Sequence, residues 1–491
     1  MRIVRMPRRR AVAVGAVASL LLLGGSAYAA TVPNPDPCDP QYKASYQGLR
    51  NYMDCRLDRI ERAIPEKTVT VTTTATPTTT TTPSTTTTSP TTTTTATTTT
   101  TTTTNPPAVL DLPRVPWEGG ADYYNQFADA KANGWADPNH FPVAIWWDVF
   151  NSDAEVKWDK AHGINTYVVT NDSTQGAEQL LEQNGMSWIG GQLPGMTRDS
   201  KAWVGDFLDD EVDGRYSCSD GTAFLQGLVD RLPDHDKLRY ANYTSSLVNI
   251  WFDDNCAKKY ASDFTDAVSL DQYVYSADFC SWQPFPTDYF INPLKQDTCR
   301  TSHSYGVMVD SLRQRDAMDG KLQPVWNFVE DVSQGNQYRL TTDQVRGAAW
   351  ASLIHEARGL IWFNNSFAGD CATGNAIRTA QLTSWACDAQ IEAMGQVNNQ
   401  IQRLAPVLNT QSYRWDFGGG VDTMLKAHDG DVYIFTGTDG HAGEKTLTLP
   451  NGLAGSAEVI DEGRSVPIVD GKITDGFSSE ATVHIYRVHL S

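Results

Sequence analysis

Two glutamates at the ends of apolar runs are the residues with the clearest chemical capacity. Glu211 closes Val204-Gly205-Asp206-Phe207-Leu208-Asp209-Asp210-Glu211, and Glu330 closes Pro324-Val325-Trp326-Asn327-Phe328-Val329-Glu330. A pair of carboxyl groups can break the acetal link between two sugars. One protonates the leaving oxygen while the other attacks the anomeric carbon or activates water. That division of labour needs one acid held protonated. The neighbours Asp206, Asp209, Asp210 and Asp213 are expected to supply like charge that favours a protonated Glu211. Glu330 has to stay ionised, with Tyr275 or Asn327 as expected hydrogen-bond donors. The bland alternative is that each acid pairs with an arginine or caps the next helix.

Such a pair works only if the fold brings the two acids together. Between residues 107 and 409, runs of strand length alternate with helical patterns, the signature of βα units around a parallel sheet. The expected strands are 141–147, 164–170, 186–190, 204–211, 238–244, 269–275, 324–330 and 360–363. Ser152-Asp153-Ala154-Glu155 and Thr341-Thr342-Asp343-Gln344 read as capping boxes of helices that follow strands 1 and 7. Eight strands with no glycine-rich nucleotide fingerprint after the first predict an α/β fold, a closed (β/α)8 TIM barrel.

In that fold the active site lies at the carboxyl ends of the strands. The strand-end residues are Asp148, Asn171, Asp172, Gln192, Asp210, Glu211, Asn242, Tyr243, Tyr275, Glu330, Asp331, Asn364 and Asn365. Carboxylates and amides match the donors and acceptors of sugar hydroxyls, and aromatic faces cover the C–H faces of the ring. Trp146, Trp147, Trp188, Trp326 and Trp362 lie on or beside strands, each with equal claim to the cleft and to the core. The expected sugar contacts are Trp146, Trp147, Asp148, Asn171, Asp210, Tyr243, Tyr275, Trp326, Trp362 and Asn364.

With acids after strands 4 and 7, the chain resembles the clan of retaining glycoside hydrolases whose (β/α)8 barrels carry the acid/base after strand 4 and the nucleophile after strand 7. The resemblance is at superfamily level and covers the barrel and the β domain behind it. It implies Glu211 as acid/base, Glu330 as nucleophile, a carbohydrate substrate and no cofactor. Where many clan members have Asn before the acid/base, this chain has Asp210. The run Asp209-Asp210-Glu211-Val212-Asp213 also resembles the Asp-Glu-Pro signature of hydrolase-like barrels.

Other chemistries find less support. His355-Glu356 begins a zincin motif, but Gly359 stands where the second histidine belongs. No G-x-S-x-G elbow and no P-loop occurs, and the nine histidines are scattered without an evident metal cluster. A formal charge of −19 disfavours nucleic acid, whose phosphates repel an acidic surface. Two rivals remain: an inactive barrel serving as a surface carbohydrate-binding protein, and metal-assisted hydrolysis at Asp206, Asp209, Asp210 and Glu211.

The flanks indicate export. Arg2, Arg5 and Arg8 to Arg10 precede an apolar run, 11–23, and an Ala27-Tyr28-Ala29 cleavage pattern, so residues 1–29 read as a signal peptide. An uncleaved anchor is the alternative, and the arginine cluster also permits twin-arginine export. Residues 30–66 form a short helical stem with Tyr46, Leu49, Met53, Leu57, Ile60 and Ile64 at heptad spacing. Residues 67–106 are a Thr/Pro-rich linker that has nothing to bury. Stem and linker suit association with a cell wall or surface. Eight cysteines are expected to pair sequentially as 38–55, 218–256, 280–299 and 371–387. From residue 410 to 491, short strands at 421–425, 432–436, 445–449, 458–461 and 483–488 predict a small all-β sandwich.

Overall fold

A computed structural model of the chain describes residues 110–232, 236–333, 338–367 and 369–490. The signal peptide, stem, linker and Cys38–Cys55 pair lie outside the described residues. Eight parallel strands close into a barrel in chain order: β1 Val143–Trp146, β2 Thr166–Val168, β3 Ser187–Gly190, β4 Trp203–Asp210, β5 Leu238–Tyr243, β6 Ala267–Leu270, β7 Val325–Glu330 and β8 Gly359–Phe363. Closure is made by β8 pairing with β1, Val143 opposite Leu360 through Trp146 opposite Phe363.

Period-two alternation divides the strands between two cores, with β4 broken by register shifts against both of its neighbours. Ala144, Trp146, Val168, Ile189, Val204, Leu238, Tyr240, Ala267, Trp326, Phe328, Ile361 and Phe363 fill the interior. Val143, Ile145, Tyr167, Trp188, Ala241, Tyr243, Val268, Leu270, Val325, Val329, Leu360 and Trp362 point outward into the helical layer. Tyr124, Phe127, Ala130 and Trp135, from the segment ahead of β1, join the interior cluster. The Trp135 indole donates to Ser187 Oγ at 2.9 Å, at the very start of β3. This segment therefore plugs the amino-terminal end and leaves the opposite end as the mouth.

Local signals hold closely. Thr341 and Gln344 form a full capping box on the helix Thr342–Ile354. Ser152 accepts from the Glu155 amide, but Glu155 turns back to the Asn151 amide rather than to Ser152. The sixth strand departs most from expectation. It leaves the ladder after Leu270, where the Asp271 amide makes its bond to the Tyr243 carbonyl at 3.0 Å. Residues 271–275, read as its continuation, form a loop and a turn. Disulfides join Cys218–Cys256, Cys280–Cys299 and Cys371–Cys387, as sequential pairing anticipates. No helix of the described residues is long and apolar enough to cross a membrane.

After the helix Asp388–Leu408 come two antiparallel sheets. One has six strands, ordered β14-β13-β16-β11-β10-β9, and the other pairs β12 with β15. Their ranges are β9 Ser412–Tyr413, β10 Val421–His428, β11 Asp431–Thr438, β12 Gly443–Thr448, β13 Ser456–Val459, β14 Arg464–Pro467, β15 Lys472–Phe477 and β16 His484–His489. Leu425, Ile434, Tyr486 and Val488 pack against Leu447 and Ile473 between the sheets. The other face of the large sheet sends Met424, Tyr433, Phe435 and Ile485 into the barrel's outer core. There Phe435 stacks on Trp350, centroids 5.5 Å apart.

Candidate active site

Alternation decides which acids reach the mouth. On β7, Trp326 and Phe328 face inward, so Glu330 does too. On β6, Ala267 and Ser269 face inward, and Asp271 continues that row. Tyr240 and Ser269 share a 2.6 Å hydrogen bond inside the barrel, and Ser269 donates to Asn242 Oδ1 at 2.8 Å. Asn242 in turn donates to Asp210 Oδ1 at 2.9 Å. This ladder of polar groups rises from the apolar floor to the acids.

Glu211 and Asp271 are within side-chain hydrogen-bonding reach of each other, with Asp210 beside them. Burial, and then the charge of Glu211, drives Asp271 well above the ordinary carboxyl range. Burial also lifts Asp210 to about 7, against the bond from Asn242. Like charges this close cannot all ionise, so the group retains a proton near neutrality. Tyr273 joins the two halves of the mouth. Burial, followed by Asp271, Asp210, Glu211 and Glu330, raises its hydroxyl pKa well above normal.

The crowd expected around Glu211 is partly dispersed. Asp209 pairs with Arg215 at 2.7 Å. Asp213 is buried and accepts from the Thr244 amide and hydroxyl at 2.9 and 2.8 Å. Asp206 lines a separate cavity with Trp203, Lys237 and Arg239. The four acids proposed for metal-assisted hydrolysis are therefore not one ligand set.

Glu330 is wholly buried. Its Oε1 accepts from the Tyr305 hydroxyl at 2.5 Å and the Ser276 amide at 3.3 Å. The expected donors are engaged elsewhere. Tyr275 donates to Glu480 of the β domain at 3.1 Å, and Asn327 to Ser352 at 2.8 Å. Strained backbone clusters at the same rim. Trp147 after β1, Val169 after β2 and Glu211 after β4 have φ of 52°, 59° and 50°. Non-glycine residues avoid this left-handed region, Val169 being β-branched, and such strain concentrates at functional sites.

The remaining expected contacts divide. Trp147 is 40% exposed at the rim, and Trp146 sits beneath it against Phe207 and Phe328. Asn171 is exposed after β2. Asp148 is buried with Asn375 at 2.7 Å, Asn364 at 3.5 Å and Arg378 at 3.3 Å, and Asn364 also accepts from the Ile377 amide. These two residues brace the rim. The structure does not bring Tyr243, Tyr275, Trp188, Trp326 or Trp362 to the mouth. Tyr243 packs on Tyr260, Trp188 stacks on Trp203, and Trp362 donates to Asn398 at 2.8 Å, all outside the barrel wall. Trp326 lies on the floor against Trp135 and Tyr240. Asp331 is buried one residue past Glu330. Asp271, Tyr273 and Tyr305 were not anticipated. The inward row Ala267, Ser269, Asp271 is the signal that finds Asp271.

An acid with a raised folded pKa binds its proton more tightly in the fold than in the unfolded chain. Its contribution to stability is complete below the ordinary value of 3.8 and is lost as pH rises toward its folded pKa. Asp210→Asn is therefore expected to gain about 1–3 kcal/mol over wild type at pH 8, and Asp271→Asn to shift stability in the same direction. The gain shrinks toward pH 4. Guanidinium unfolding at both pH values checks this, and a gain independent of pH would contradict it.

No protein-family model and no curated protein matches the chain. Among solved structures, it is similar to a GH30 endoxylanase from Clostridium papyrosolvens C71 at 11% identity, with 72% of this chain and 96% of that chain covered and a TM-score of 0.40. It is likewise similar to Eubacterium rectale Amy13B (10%, 74% and 100% covered, TM-score 0.44). A third is the noncanonic maltogenic α-amylase AmyB from Thermotoga neapolitana (9%, 70% and 99% covered, TM-score 0.40). At these values the fold assignment stands on the strand pairing itself, and the reading of the site on its own geometry.

Proposed function

We propose that the chain is an exported glycoside hydrolase that cleaves O-glycosidic bonds of a polysaccharide or oligosaccharide with two carboxyl groups. The supporting observation is the inward-facing set Asp210, Glu211, Asp271 and Glu330, contributed by β4, β6 and β7 at the open end of the barrel. Glu211 is the more accessible acid and Glu330 the buried, hydrogen-bonded one. In this reading Glu211 protonates the leaving oxygen, with Asp271 beside it. Glu330 attacks the anomeric carbon, and Glu211 then deprotonates water to release the sugar with retained configuration. Trp147 offers an exposed ring face for a sugar at the rim. The three disulfides fit an oxidising compartment and hence export.

The test is incubation of the full chain with a panel of neutral oligosaccharides and aryl glycosides. Sugar release is expected, with the first-formed anomer matching the substrate by NMR. Glu211→Ala is expected to lower release from natural substrates by roughly 10²–10⁴-fold. Saturable binding without any release would leave the inactive carbohydrate-binding barrel in its place.

A further inference from the structure

His303, His355 and Asp422 are scattered in sequence and converge at the junction of the barrel with the β domain. His303 stands at the start of the helix Ser302–Asp316, His355 caps the end of Thr342–Ile354, and Asp422 is on β10. One donor atom from each lies within 4.8 Å of the others. His303 Nδ1 is 2.6 Å and His355 Nε2 3.4 Å from Asp422 Oδ2.

Three features give this cluster the form of a metal site rather than a chance meeting of ionic groups. His355 Nε2 is buried and makes no hydrogen bond. Its other nitrogen, Nδ1, lies 2.8 Å from Asp310 Oδ2, and that contact holds the ring with Nε2 turned toward Asp422 Oδ2, 3.4 Å away. A carboxylate behind a histidine is the usual means of orienting a ligand ring and raising its basicity. Space is also reserved for the ring. A Cβ on Gly306, one turn after His303 on the same helix, would stand 2.1 Å from His355 Cδ2 and 2.5 Å from Nε2.

We propose that His303 Nδ1, His355 Nε2 and Asp422 Oδ2 bind one zinc ion that ties the barrel to the β domain. Two imidazoles and a carboxylate, with water as fourth ligand, suit tetrahedral zinc. Zinc–ligand bonds of about 2.0–2.1 Å set tetrahedral donors roughly 3.3 Å apart, so the His303–Asp422 contact opens slightly when the ion enters. The His355-Glu356 start of a zincin motif thus has a use without its second histidine: the missing ligands come from another helix and another domain. The site is separate from the proposed glycosidase centre. It also bears on that centre, because the helix it pins carries Tyr305, the donor to Glu330.

The test uses tag-free full chain stripped with chelator and titrated with zinc chloride by calorimetry. The expected result is one zinc per chain at submicromolar affinity and a higher thermal midpoint that chelator reverses. His303→Gln and Asp422→Asn are expected to weaken binding at least a hundredfold, and Asp310→Asn by about 10–100-fold. Circular dichroism identifies variants that fail to fold, and the outer carboxylate variant Asp310→Asn serves if both ligand variants do. No saturable binding at 100-fold the protein concentration, or equal affinity in folded variants, overturns the proposal. The cluster is then a plain His–Asp ion-pair network, whose stabilisation is insensitive to chelator.

Discussion

Glu330→Gln is expected to abolish sugar release from every substrate that wild type cleaves, with an unchanged circular dichroism spectrum. The amide keeps the volume of the carboxylate in a fully enclosed position and can still accept through its oxygen from Tyr305 and Ser276. What disappears is the negative charge that bonds to the anomeric carbon. Loss of a group acting directly on the reacting atoms costs on the order of 10²–10⁴-fold or more. Substrate chemistry separates this residue from Glu211. A dinitrophenyl glycoside has a leaving group that departs without protonation. Glu211→Gln is therefore expected to spare its first cleavage, while Glu330→Gln does not. Loss of both substrates in both variants would argue against the division of roles. Near-wild-type turnover by Glu330→Gln would retire that residue altogether.

The largest expected loss of stability comes from Arg378→Ala. The guanidinium is buried between two fully buried carboxylates, Asp148 at 3.3 Å and Asp159 in direct contact. Even with that cation alongside, burial leaves Asp148 above the ordinary carboxyl range. Removing the arginine leaves both acids without their counter-charge, a change that typically costs about 3–5 kcal/mol. The variant should be worst at neutral pH. As pH falls, Asp148 takes up a proton and no longer needs a cation, so the gap from wild type narrows toward pH 4. Denaturation midpoints of both proteins at pH 7 and pH 4 check the size and the sign. A penalty that stays constant with pH would mean that packing, not charge, is what Arg378 contributes. Because Asp148 follows β1 at the rim, the variant also asks how far the mouth depends on this brace.

The His303–His355–Asp422 cluster and the acid group at the mouth are assembled in the same way. In both, the ligating or reacting atoms come from segments that no spacing rule connects. Glu330 takes its hydroxyl donor from Tyr305, 25 residues earlier in the chain, rather than from the nearer Asn327. Asn327 points to the opposite side of the strand, where Ser352 meets it.

What the sequence by itself determined was the set of strands and helices and their order. Alternating apolar runs, the Thr341–Gln344 cap and sequential cysteines are signals carried within a few dozen residues, and local backbone preferences and short loops act on that scale. Strand parity was readable in relative terms: Trp326, Phe328 and Glu330 must share one face of their strand, whichever face closure turns inward. Only the tertiary structure decided where β6 leaves the sheet, and with it the exchange of Tyr275 for Asp271 at the mouth. It alone chose which tryptophans line the floor and the outer wall, and brought His303 and His355 to Asp422. An apolar ring is buried equally well on either side of a strand, and a polar side chain takes the partner that closure places beside it. Those choices are made by the summed packing of distant segments, which no local pattern encodes.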